Sequence, residues 1–256
     1  MPRYALKLEY DGTGFVGWQR QPGALSIQGM LEDAAGKLAG VPVSAVCAGR
    51  TDAGVHAAAQ VAHLDLPRAL APIRIAEALG FHMRPHAIVV LQAAEVDGAF
   101  SARFSAIGRR YRYIVLDRRA RPALDRNRVW HVPDGLNAAA MHAAAQPLLG
   151  RHDFTSFRAS ACQANSPVRT LDRLDVFRDG DRVVIEADAR SFLHHQVRNL
   201  VGTLRLVGGG ARPVGWPAEA LAARDRAASG PTAPPQGLTL TSVVYPVDPF
   251  SRPPTP

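Results

Sequence analysis

Cysteine is scarce: Cys47 and Cys162 are the only two in 256 residues, far apart and without a C-x-x-C partner. That excludes a disulfide framework and a paired-cysteine metal site, and it predicts reduced thiols and a cytoplasmic protein. A lone thiol nucleophile stays open for either residue. No stretch of about 20 apolar residues exists, so no helix is expected to span a membrane. The first residues, MPRYALKLEYDGTGF, lack a basic start followed by an apolar run, so they do not read as a signal peptide. Neither G-x-x-x-x-G-K-[ST] nor a G-x-G-x-x-G after a strand nor H-E-x-x-H occurs. Nothing therefore points to nucleotide hydrolysis, dinucleotide redox chemistry or a helical zinc site, and no cofactor and no metal are expected. Lysine is nearly missing too: Lys7 and Lys37 are the only lysines among 30 basic residues.

The other 28 are arginines. Against 22 acidic residues they leave a net charge of +8 and an isoelectric point near 10.3. A guanidinium never loses its proton and donates paired hydrogen bonds that match phosphate, so a polyanion is the leading partner class. The hydrophobic share of 47% and the charged share of 20% are those of a globular chain.

Alternation of Tyr4, Leu6, Leu8 and Tyr10 against Lys7 and Glu9 predicts a half-buried strand over 3–10. Ser26 is placed to cap a helix carrying Ile27, Met30, Leu31, Ala34 and Leu38 on one face. Strands follow over 41–47 and 60–66, then a helix with Pro72 in its first turn, then a strand over 87–94. This is β-α-β-β-α-β, and the second half repeats the order. A strand over 110–116 precedes an alanine-rich helix over 136–149. Strands over 168–177 and 182–189 flank a turn at Arg178–Asp181. A helical stripe of Val197, Leu200, Val201, Leu204 and Val207 ends at three glycines, read as a C-cap. A short helix over 218–226 and a strand over 238–245 complete it. The order predicts an α+β protein of two ferredoxin-like halves, packed with a central antiparallel sheet and a catalytic cleft between them. The N-terminal half spans 1–105, the C-terminal half 106–248, and a proline-rich flexible tail 249–256.

One segment invites chemistry. In Ala48-Gly49-Arg50-Thr51-Asp52-Ala53-Gly54-Val55-His56, two glycines allow a sharp turn and a close ligand. Asp52 there is either a turn residue bonding its own backbone or a carboxylate held ionised by a neighbouring guanidinium and available as a nucleophile. His194 and His195 are adjacent and so do not share a helix face. His56 and His63 read as structural or RNA-facing. Arg109, Arg110 and Arg112 flank tyrosines in a basic-aromatic cluster of the kind that holds RNA, with a solvated charged face as the competing reading. The same two readings apply to Arg20, Gln19, Gln21, Arg68, Arg74 and Arg84.

AGRTDAGVHA resembles the signature loop of the TruA-type tRNA pseudouridine synthases. Further segments resemble that family in order along the chain: Tyr10-Asp11-Gly12-Thr13 with Gly17-Trp18-Gln19; Ala102-Arg103-Phe104-Ser105-Ala106 with Arg110-Tyr111-Arg112-Tyr113; Asp153-Phe154-Thr155-Ser156-Phe157; Ser166-Pro167-Val168-Arg169-Thr170; Phe192-Leu193-His194-His195-Gln196-Val197-Arg198-Asn199; and Pro234-Pro235-Gln236-Gly237-Leu238. Gln196 stands where methionine is common in the family, and the proline-rich tail has no counterpart there.

The resemblance implies an isomerase that converts uridine to pseudouridine at positions 38, 39 and 40 of the tRNA anticodon stem-loop, as a homodimer in the cytoplasm. It implies Asp52 as nucleophile, either attacking the ribose or assisting a glycal-type intermediate. Arg50 would hold the flipped nucleotide. Tyr111 would stack on the uracil and take the proton from carbon 5, Arg198 would pair with Asp52, and Leu238 would pack against the base. Two alternatives are a non-catalytic RNA-binding module and a metal-dependent hydrolase using Asp52, His56 and His194 or His195.

Overall fold

The computed structural model describes residues 1–251, so positions 252–256 of the expected tail lie outside the described residues. The chain divides into two compact units. One is Met1–Arg109 together with the described residues from Leu240 onward, and the other is Arg110–Thr239. Both mix helices with mostly antiparallel strands. Among the described residues no helix is long and apolar enough to cross a membrane.

The first unit opens with β1 (Arg3–Tyr10), followed by α1 (Ile27–Ala39), β2 (Ala45–Cys47), β3 (His56–Asp65), α2 (Pro72–His82) and β4 (Ile88–Val96). β1 lies antiparallel between β3 and β4, and β2 pairs antiparallel with β3. Tyr4, Leu6 and Leu8 are fully buried, as their alternation predicts. The Ser26 hydroxyl accepts from the Gly29 amide at 3.2 Å and starts α1, and Gly40 ends it in the left-handed region. The strand expected over 41–47 shrinks to three residues because Pro42 lacks an amide for the ladder. β3 begins at His56, four residues before its expected start, because Ala57, Ala58 and Ala59 carry little strand signal.

The second unit contains β5 (Gly108–Leu116, whose first two residues belong to the first unit), β6 (Trp130–His131), α3 (Ala138–Ala145), β7 (Gly150–Asp153), β8 (Val168–Asp179), β9 (Arg182–Ala189), α4 (Gln196–Gly208), α5 (Trp216–Ala223) and the start of β10 (Leu238–Val244). Its sheet runs β5-β9-β8-β7, and β6 pairs parallel with β5. The helix expected over 136–149 stops at Ala145 and continues as a 3₁₀ turn, because Pro147 cannot extend the α-helical ladder. Strands β6 and β7, two and four residues long, are too short to leave a periodic signal. Leu171, Leu174 and Val176 of β8 and Leu200, Val201 and Leu204 of α4 are buried.

Candidate active site

In the first unit, two loops are laced together around Asp52. Gly17 and Asp52 form an isolated antiparallel bridge. The Trp18 amide donates to the Thr51 carbonyl at 3.0 Å and the Gly54 amide to the Phe15 carbonyl at 3.3 Å. The Val55 amide closes the bend onto the Asp52 carbonyl at 3.1 Å, with Gly54 at φ +75°. The approach leaves no space for side chains. A Cβ on Gly12 would lie 2.2 Å from the Val55 carbonyl oxygen, and one on Gly17 would lie 2.6 Å from that of Thr51.

Side chains fix the loop from behind. The Thr51 hydroxyl is 2.8 Å from the Tyr10 hydroxyl. Gln60 Nε2 donates to that same phenol oxygen at 3.3 Å and to the Gly49 carbonyl at 2.7 Å. All three side chains are buried, and burial pushes the Tyr10 phenol well above its ordinary pKa. His56 is buried as well, and its Nδ1 accepts from the Gly12 amide at 3.0 Å and stands 3.1 Å from Asp11 Oδ1, so it braces the loop. His63 is likewise buried, accepting from the Ala102 amide at 3.1 Å. Burial pushes the Cys47 thiol up to about 12, which removes it as a thiolate nucleophile at neutral pH. With Thr51, Val55 and His56 turned inward, the bend holds Asp52 half-buried and Arg50 exposed. Arg50 makes no hydrogen bond or ion pair among the described residues.

The arginines beside the tyrosines serve the framework. Arg109 is buried, and its guanidinium donates to the carbonyls of Ala48, Arg103 and Ala106. Arg110 faces Asp188 at 3.2 Å and Arg112 faces Glu186 at 2.6 Å, both as cross-strand ion pairs. Arg20 is engaged with Glu32 and Asp33. Arg109→Ala strands three carbonyls and is expected to cost about 3 kcal/mol in urea unfolding. Arg112→Ala breaks one exposed pair and is expected to cost roughly 0.5 kcal/mol.

The second unit holds Tyr111, Arg198 and Leu238. Tyr111 is buried on β5, meeting the Phe192 ring edge-on at 5.3 Å. Leu238 is buried at the start of β10, the neighbour of β5. Just before it, Gly237 lies so close to Tyr113 that a Cβ there would sit 2.6 Å from the ring, and the Tyr113 hydroxyl donates to the Pro234 carbonyl at 2.7 Å. Arg198, in the first turn of α4, donates through Nε to the Ala233 carbonyl at 2.8 Å. Asn199 and Thr203 of the same helix hold this segment through Thr232 and Gly230, and a Cβ on Gly202 would run into the Pro231 carbonyl. His194 and His195 precede α4, with ring centroids 4.0 Å apart and His195 at φ +62°. The Gln196 Oε1 accepts from the Leu193 amide at 2.8 Å across this entry.

The sequence singles out Arg50, Asp52, Tyr111, Arg198 and Leu238, and it shows Gly12, Gly17 and Asn199 only as parts of resembling segments, with no placing role for them or for Gln60 and Gly202. The glycines at 12, 14 and 17 around one strand end were the available signal for a tight loop pair.

A family model described as tRNA pseudouridine synthase matches residues 144–246. The chain is 67% identical over 254 residues to "tRNA pseudouridine synthase A" of Acidiphilium cryptum (strain JF-5), covering 98% of this chain and 100% of that protein. It is 58% identical over 245 residues to the protein of the same name from Paramagnetospirillum magneticum (strain ATCC 700264 / AMB-1), covering 96% of each. With that of Gluconobacter oxydans (strain 621H) it shares 56% over 254 residues, covering 98% of this chain and 92% of the relative.

Proposed function

The chain belongs to the tRNA pseudouridine synthase A family, and on that premise we propose that it isomerises uridine to pseudouridine at positions 38, 39 and 40 in the anticodon stem-loop of cytoplasmic tRNA. The reaction breaks the bond from ribose C1′ to uracil N1, turns the base, joins C1′ to C5, removes the C5 proton and returns a proton to N1. Atoms and electrons balance within the nucleoside, so no oxidant and no nucleotide is consumed. A nucleophile, a surface that retains the free base and a proton acceptor suffice.

Asp52 is the carboxylate that assists departure of uracil from C1′. Arg50 holds the extruded nucleotide, whose unstacking costs a few kcal/mol. Tyr111 stacks on the base and receives the C5 proton, Leu238 packs against the base, and Arg198 supplies positive charge to keep the nucleophile ionised. Each unit is read as a β-α-β-β-α-β, ferredoxin-like half, and the working form as a homodimer. The observation that carries this reading is the bend itself. A carboxylate anchored through its own backbone to a second glycine loop, beside an exposed guanidinium without an internal partner, suits a reacting group better than a simple turn.

An unmodified tRNA transcript with uridines at 38–40, incubated with the protein without nucleotide triphosphate, is expected to gain pseudouridine at those positions. Mapping by chemical adduct formation and primer extension reads the result. Tight binding without product supports the passive RNA-binding module instead, and stoichiometric zinc with activity lost to a chelator supports the hydrolase.

A further inference from the structure

The turn that leads into β5 presents an aromatic ring outward from a braced base. In Ala102-Arg103-Phe104-Ser105-Ala106, Ala102 and Ala106 are buried and form a cluster with Val61 and Tyr245, against which Phe100 packs. Phe104 is turned the other way and stays 76% exposed. Single exposed apolar residues are ordinary on a protein surface. This one differs in how firmly it is held and in what stands over it.

Local hydrogen bonds fix the turn. The Phe104 amide donates to the Ser101 hydroxyl at 3.3 Å, and the Ser105 amide donates to the Ser101 carbonyl at 2.9 Å. The Ala102 amide donates to His63 Nδ1 at 3.1 Å, and the Ala102 carbonyl accepts from the Tyr245 hydroxyl at 2.7 Å. Arg109 Nη2 donates at 2.7 Å both to the Arg103 carbonyl and to the Ala48 carbonyl. One buried guanidinium therefore ties this turn to the start of the segment that carries Asp52. On the outside, the Arg103 guanidinium lies over the Phe104 ring, 5.3 Å from its centroid. That guanidinium makes no hydrogen bond or ion pair among the described residues. Arg103 and the exposed Arg50 both act on the Cys47 thiol, each opposing the effect of its burial, so the two cations stand at the same end of β2.

We propose that Phe104 and Arg103 form a stacking platform for one unpaired base of the RNA substrate, beside the nucleotide on which Asp52 acts. The proposal rests on the tRNA reading above. Extruding a uridine disturbs the stack on either side of it, and a neighbouring base then needs a new surface. The phenyl ring has the cation on one face and offers the other to a base, and every base has a face that accepts it. The guanidinium, not spent on a carboxylate, supplies the charge and the donors that suit the phosphate of the same nucleotide. Because the turn is already held, little ordering remains to oppose binding.

The test measures binding of unmodified tRNA by full-length F104A, F104W and R103Q, with pseudouridine formation followed in parallel. F104A is expected to raise Kd and KM for tRNA about 5- to 100-fold, the scale of one lost base stack. The larger part of the loss is expected on KM rather than kcat. Its Tm is expected to stay close to wild type, because the ring removed is exposed. F104W, which keeps an aromatic face, is expected to restore the affinity, an outcome a merely structural role would not produce. R103Q is expected to lower the slope of log affinity against log salt by about 0.7–0.9, the value for one lost phosphate contact. Anticodon stem-loops carrying 2-aminopurine at single loop positions read the stack itself. Quenching at one position is expected with the wild-type protein and not with F104A. Unchanged Kd and KM in F104A overturn the proposal, as do a loss that F104W does not restore and quenching that F104A retains. An unchanged salt slope in R103Q overturns the part given to Arg103. A wild-type protein that binds tRNA but makes no pseudouridine defeats the functional reading instead, so the two failures are distinguishable.

Discussion

Gly17→Ala is expected to lower stability by about 3 kcal/mol and to slow pseudouridine formation roughly 100-fold in the protein that remains folded. Two costs add. Gly17 has φ +103°, a conformation that L side chains rarely adopt, and its Cβ would press on the Thr51 carbonyl at 2.6 Å and on the backbone of Asp52. Relief requires the bridge between Gly17 and Asp52 to open, and that bridge fixes where the carboxylate stands. Differential scanning calorimetry should show a fall in Tm of about 6–12 °C. Kinetics at a temperature where the variant is folded isolate the positional effect. Gly14→Ala is the control: Gly14 also has positive φ, but a Cβ there meets nothing, so its cost is backbone strain alone and activity should hold.

Asp52→Asn carries the second large effect. The amide is nearly the same size, and the backbone bonds that hold the bend come from residues 51, 52 and 54 regardless of the side-chain charge. Folding and tRNA affinity are therefore expected to stay close to wild type. Turnover is expected to fall roughly 10⁴-fold or more, the scale seen when a covalent nucleophile is removed. A Kd from filter binding beside a single-turnover rate separates the two. A large loss of affinity with a modest loss of rate would make Asp52 a binding residue.

Where the chain's own local pattern decides the outcome, the sequence was readable. The alternation of β1 and the Ser26 cap of α1 needed no distant partner, and the bend at Asp52 stood out because glycines flank a charged pair. What escaped was set by contacts far along the chain. Nothing near Gln60 announces that its amide reaches Gly49 and the Tyr10 phenol, 11 and 50 residues away. Arg109 looked like its neighbours Arg110 and Arg112, yet strand alternation turns it into the interior, where three carbonyls absorb its charge. Arg151 of β7 comes to lie beside Thr170 of β8 only through strand pairing, a neighbour that neither segment announces by itself. The short strands β6 and β7 exist because longer neighbours offer them edges, a tertiary cause that periodicity does not register.

Tritium release tests the role of Asp52 most directly. A tRNA carrying tritium at uracil C5 is incubated with a molar excess of protein, and label appearing in water is counted against pseudouridine formed. The wild-type protein is expected to release one tritium for each pseudouridine at positions 38–40, and Asp52→Asn to release none above background while still binding the RNA. Release by the Asp52→Asn protein at a rate near that of wild type would contradict the central role given to this carboxylate.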